Sequence, residues 1–166
     1  MDRAYSTLEI KSVDAEAGVI AGIASTPETD RMGDVVMPEG AQFKLPLPLL
    51  LGHDHGAPIG TVERATVTAS GIEIVAKVAL GVSEKIDEAW RLIRAGLIRG
   101  LSVGFRPLAS EPRANGGRRF TVWELFEVSA GAIPANAAAT SPPSKAIRRS
   151  RFLRCASILS KRRTNP

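Results

Sequence analysis

Residues 72–80 alternate strictly between two faces, with Ile72, Ile74, Ala76, Val78 and Leu80 on one and Glu73, Val75, Lys77 and Ala79 on the other. A period of two marks a strand buried on one face, and it recurs through most of the chain. A mainly β fold is therefore expected before any motif is considered. Residues 5–13 and 19–25, separated by Asp-Ala-Glu-Ala-Gly, read as one hairpin. Residues 61–68 and 72–80, separated by Ala-Ser-Gly, read as a second. Residues 101–105 and 120–128 add further strands, the latter preceded by an Asn-Gly-Gly turn and Arg118-Arg119.

One stretch breaks this period. Ile86, Ala89, Trp90, Ile93 and Leu97 recur at helical spacing, Ser83 is placed to cap the N-terminus, and Glu84, Asp87 and Glu88 suit the positive end of the dipole. Gly96 and Gly100 bracket the end of that helix.

Size permits one such unit. With 166 residues, 44% of them hydrophobic, the chain can bury one ordinary core. A single domain over residues 1–140 is expected, with residues 141–166 as an appendage. The Thr-Ser-Pro-Pro-Ser-Lys run at the junction interrupts any regular element. The appendage carries eight Lys and Arg and no Asp or Glu. Removing those eight from the chain's 22 basic residues leaves 14 against 17 acidic ones in residues 1–140, so the body is mildly acidic. A tail of that composition, expected to be disordered, suits an acidic protein surface, nucleic acid or a membrane, or is a solvated extension.

Cys155 is the only cysteine, which excludes an intramolecular disulfide and a cysteine cluster for structural zinc. Apolar runs fall short of the ~20 residues a membrane span requires, and Met-Asp-Arg-Ala-Tyr lacks the layout of a signal peptide. An intracellular protein with no membrane partner is expected.

Three short motifs supply complementary parts of acyl-transfer chemistry: L-L-G-H-D-H around His53, G-L-S-V-G-F around Ser102, and E-V-S-A-G-A around Glu127. A hydroxyl nucleophile needs a base to take its proton, and the base needs a carboxylate to orient it. In the Ser102 strand, Leu101, Val103 and Phe105 anchor one face. Ser102 and Gly104 occupy the other, where glycine leaves room for a substrate backbone. A half-exposed strand serine with no catalytic duty fits the same pattern. Only His53 and His55 supply imidazole, so a neutral-pH base must be one of them. His53, Asp54 and His55 also permit a metal site if the two histidines share a strand face, although a third ligand would have to be a carboxylate. Glu127, on one face with Trp123, Leu125 and Ser129, should be partly buried and in need of a partner. That partner is either an imidazolium or an arginine, with Arg64, Arg99 and Arg106 as candidates.

Five blocks in order carry a resemblance: G-I-A-S at residues 22–25, D-R-M-G-D-V-V at 30–36 with G-A-Q-F at 40–43, L-L-G-H-D-H-G-A-P-I-G at 50–60, G-L-I-R-G-L-S-V-G-F at 96–105, and E-V-S-A-G-A-I-P-A-N-A-A-A at 127–139. Over about residues 8–140 the chain resembles the prohead serine proteases of tailed bacteriophages, the HK97-type maturation proteases. Ala130-Gly131 departs from the larger apolar pair usual after E-V-S. The resemblance implies an endopeptidase packaged in the procapsid, in the bacterial host cytoplasm, that cleaves the scaffolding segment of the major capsid protein and often itself, self-cleavage being the alternative to disorder for residues 141–166. It also implies an assemblin-like fold, mainly β with α, in which a closed or partly closed antiparallel β-barrel is flanked by helices, and a homodimer or higher homo-oligomer. Ser102 matches the nucleophile and His53 the base, and Glu127 is assigned as the third member. Oxyanion donors are expected from amides near Gly104 or Gly131 or from an arginine-held water. No cofactor or metal is implied. The alternatives are an inactive protease-like scaffold protein and a metal-dependent hydrolase using His53, Asp54 and His55.

Overall fold

The computed structural model describes residues 2–30, 32–114 and 116–132, with side chains from residue 10 onward. The expectations for the tail therefore lie outside the described residues. In chain order the elements are β1 (Asp2–Asp14), β2 (Val19–Ser25), β3 (Val35–Val36), a 3-10 turn (Pro38–Gly40), β4 (Ala41–Gln42), β5 (Leu47–Leu51), β6 (Asp54–Thr68), β7 (Gly71–Val78), α1 (Glu84–Arg94), β8 (Gly100–Pro112) and β9 (Arg118–Gly131). The fold is mainly β with one α-helix among the described residues.

Both expected hairpins form, because each pairs half-buried strands across a short polar turn: β1 with β2, and β6 with β7. Ile72, Ile74, Ala76 and Val78 are all buried, as the alternation requires. The pattern stops there. β7 ends at Val78, and Leu80 lies outside it, half exposed.

Sheet order runs β3-β9-β5-β6-β7-β2-β1-β8, and β8 also pairs with β9. The expected antiparallel arrangement is not uniform. β3, β4 and β5 all run parallel to β9. No hairpin joins them to β9; β6, β7, α1 and β8 intervene between β5 and β9, a connection long enough to permit parallel pairing. Ile20, Leu49, Val62, Val103, Trp123 and Val128 are among the side chains fully enclosed within the core. Phe105 packs edge-on against Phe120 at 5.1 Å and Trp123 at 5.4 Å between ring centroids. Trp123 Nε1 donates to the Met37 carbonyl at 2.8 Å, so the indole is buried without an orphan donor.

α1 begins and ends where local chemistry directs. Ser83 Oγ accepts the Ile86 N–H at 3.3 Å, while Ile86, Ala89, Trp90 and Ile93 form the buried stripe. At the other end Gly96 has φ +72°, and its N–H and that of Leu97 donate to the carbonyls of Ile93 and Leu92. Leu97 thus falls beyond the helix and is exposed rather than on its buried face; Ile98 is buried in its vicinity of the chain. The left-handed residue turns the chain away before the helical period can place Leu97.

Candidate active site

Three neighbouring strands in the order β8-β9-β5 build the site. Leu49, Leu50 and Leu51 of β5 lie beside Val128, Ser129 and Ala130 of β9 in parallel register. Leu49 and Leu50 are buried, which fixes the end of β5 against the sheet. Chain reversal follows at once: Leu51 pairs with Asp54 across Gly52 and His53, both with φ +61°. Two central residues of positive φ are the requirement of a tight type I′ hairpin turn. Glycine meets that requirement freely, and histidine is among the side chains that tolerate it better than most. The Gly52 N–H donates to the Ala130 carbonyl at 2.9 Å, and the His53 N–H donates to Ser129 Oγ at 3.0 Å. The turn is folded onto β9.

The imidazole consequently reaches across β9 toward β8. His53 Nδ1 lies 2.6 Å from Glu127 Oε1, and His53 Nε2 lies 2.6 Å from Ser102 Oγ. An ionised carboxylate only accepts, so Nδ1 carries the proton that it donates to Glu127. In the neutral ring Nε2 is then the bare nitrogen and accepts the Ser102 hydroxyl. Such a chain can draw a proton from Ser102 and stabilise the imidazolium that results.

Glu127 is 2% exposed, so its charge must be met within the protein. Ser129 Oγ–H donates to Oε2 at 2.8 Å, while Oε1 takes the His53 N–H. Hydrogen bonds to a charged group contribute about 1.5–3 kcal/mol each, and here both carboxylate oxygens are satisfied. The arginine alternative is not what forms: Arg106 pairs instead with Glu124, at 2.6 Å.

A β-bulge decides where this carboxylate points. Phe105 pairs with Leu125 but Gly104 pairs with Glu127, so two steps on β9 match one on β8. Trp123 and Leu125 face the core with Phe105, whereas beyond the bulge Val128 and Ala130, opposite Val103 and Leu101, occupy that side. Glu127 and Ser129 therefore stand on the opposite face from Trp123 and Leu125. The expectation that all four share a face fails because the extra residue inverts the alternation. Burial of Glu127 comes from the His53 turn that covers it.

Gly104 has a different use from the one its sequence suggests. A Cβ there would lie 2.6 Å from Cγ and Cδ of Glu127 and collide with Oε1. The space is taken by the carboxylate and is not left for a substrate backbone. Its amide also lies in a strand flanked by Arg3 of β1 and Glu127 of β9. The ladder occupies both sides of that backbone in the plane of the sheet, which disfavours it as an oxyanion donor.

His53 and His55 do not share a strand face. The first is in the turn and the second is an exposed residue of β6. Asp54 Oδ1 accepts the Gly56 N–H at 2.8 Å, and among the described residues no group of three or more His, Cys, Asp or Glu is arranged to hold a metal ion. Ser129 is the member that residue patterning passed over, although its position two beyond Glu127 on a strand was a usable signal.

The chain as a whole is similar to known phage proteins. The family described as caudovirus prohead serine protease matches residues 6–150. A capsid polyprotein of Pseudomonas phage PAJU2 is 51% identical over 154 residues, covering 89% of this chain and 23% of that protein. A prohead protease of Escherichia phage T5 is 37% identical over 142 residues, covering 76% of this chain and 65% of that protein. The chain thus spans about a quarter of one relative and just under two thirds of the other. The extent of the family match, across all three motifs, places the chain in the caudovirus prohead serine protease family.

Proposed function

We propose that this chain is a serine endopeptidase that processes the major capsid protein of its phage within the procapsid, cleaving the scaffolding segment. The observation that carries the reading is the continuous chain from Ser102 Oγ through both ring nitrogens of His53 to Glu127, with each link at 2.6 Å. Family membership supplies the reaction class. A relative named a capsid polyprotein supports the capsid protein as partner.

In this mechanism His53 Nε2 accepts the Ser102 proton as Oγ attacks the scissile carbonyl carbon. The imidazolium is held by Glu127 through Nδ1–H and returns its proton to the departing amine nitrogen. The acyl-enzyme ester is then hydrolysed by a water that gives its proton to Nε2, and collapse of the second tetrahedral adduct restores Ser102 Oγ–H. Glu127 stays ionised throughout. Pairing of β8 with both β1 and β9 supports an assemblin-like barrel as the frame of this site. An experimental structure in which β8 lacked either neighbour would remove that support.

Co-expression with the cognate major capsid protein tests the function. Wild type should yield a truncated capsid protein with a new N-terminus, and Ser102→Ala and His53→Ala should leave it full length. Unchanged processing in either variant would refute the assignment.

A further inference from the structure

We infer that Ser129 is a positioning residue of this site, setting the carboxylate and the base from a single hydroxyl. The inference rests on Ser102 and His53 acting as nucleophile and base. A hydroxyl has one proton to give and lone pairs to receive. Here the proton goes to Glu127 Oε2 at 2.8 Å, and a lone pair receives the backbone N–H of His53 at 3.0 Å. One atom thereby references both the carboxylate and the turn that bears the imidazole. Ser129 is 1% exposed, so water is poorly placed to substitute for it. It also lies directly opposite Ser102 in the β8–β9 register, on the same face. All four groups are thus referenced to one short stretch of ladder.

Two of the bonds from the turn to β9 differ in what they control. The bond from the Gly52 N–H to the Ala130 carbonyl attaches the turn to β9 through backbone alone. The Ser129 bond lies one residue further along, at His53 itself, and is also the one coupled to Glu127. Removing the hydroxyl takes away one restraint on the His53 backbone and the Ser129 donor to the buried Oε2. Misplacement of reacting groups by about 1 Å can cost roughly 100-fold in rate. The defect should accordingly appear in turnover and not in substrate binding.

Ser129→Ala and Ser129→Cys in the full chain separate the hydroxyl from the space it fills, because cysteine keeps the shape with a much weaker donor. The readouts are the rate at which a fluorophosphonate probe labels Ser102, kcat and KM on a peptide spanning the mapped capsid cleavage site, and the thermal unfolding midpoint. Both variants should label about 100-fold more slowly and lose kcat to a similar extent at nearly unchanged KM. Ser129→Cys should keep a near-native midpoint, and it decides the matter if Ser129→Ala folds poorly. Wild-type labelling by Ser129→Cys, or a loss confined to KM, overturns the inference. Ser102→Ala separates this from the functional reading. If Ser102→Ala still labels and processes, that reading fails; if it does neither while both Ser129 variants match wild type, only the role of Ser129 fails.

Discussion

The two ends of the β8–β9 ladder use polar side chains in opposite ways. At the site end Ser102, Glu127 and Ser129 are joined with His53 at 2.6–3.0 Å, and Glu127 and Ser129 are 2% and 1% exposed. Further along, Arg106 meets Glu124 at 2.6 Å with side chains 68% and 44% exposed, and Arg118 donates to Ser110 Oγ from Nε at 3.1 Å and from Nη2 at 2.7 Å. The distances are alike, but the solvent is not. Water screens and replaces the outer contacts, whereas the inner ones have no substitute, so equal geometry carries unequal consequence.

The largest expected contrast comes from removing the reacting groups. Ser102→Ala and His53→Ala should lower processing by on the order of 10⁴-fold or more while the fold persists, as loss of a triad member does in serine hydrolases generally. Pulse-labelled capsid processing would show it, and residual cleavage within tenfold of wild type would break the comparison.

Next comes charge without change of shape. Glu127→Gln keeps the volume but no longer stabilises the imidazolium, and about a 10³-fold fall in kcat is expected. A fall of less than threefold would mean that Glu127 only fills its site.

Gly104→Ala probes the packing beneath the carboxylate. The added methyl must displace Glu127, which two hydrogen bonds hold in place. A loss of roughly 10²-fold in kcat is predicted from that displacement. Wild-type kinetics in a correctly folded Gly104→Ala protein would show that the carboxylate has slack the structure does not suggest.

Arg106→Ala marks the other extreme. The pair with Glu124 is largely solvated, so its loss should change unfolding free energy by under about 1 kcal/mol and leave kcat unaltered. Chemical denaturation of the two proteins measures the difference, and a cost above about 2 kcal/mol would erase the distinction between the ends of the ladder.

Much of this was legible from residue order. Period-two alternation located the two hairpins, because strands buried on one face must alternate. Ser83 marked the start of α1, and the scarcity of histidine confined the choice of base to two positions. The facing of Ser102 away from Leu101, Val103 and Phe105 was also readable, since the extra residue of the bulge between Gly104 and Phe105 lies in β9 and leaves the alternation of β8 intact.

Other features were decided only when distant segments met. Counting along the strand puts Glu127 on the face of Trp123 and Leu125, and the bulge at Phe126 reverses that count. Gly104 suggests open space from its neighbours in sequence, but the Glu127 side chain fills it. Even Ser129, on a face with Glu127, had no evident partner until the His53 turn arrived from 76 residues away. Residue order was enough for a mainly β chain, for the position of its helix and for the choice of Ser102, His53 and Glu127 as candidate site residues. Tertiary structure alone decided which atoms of those residues meet, because bulges, parallel pairing and a positive-φ turn are settled by long-range backbone fit and not by the local period of the side chains.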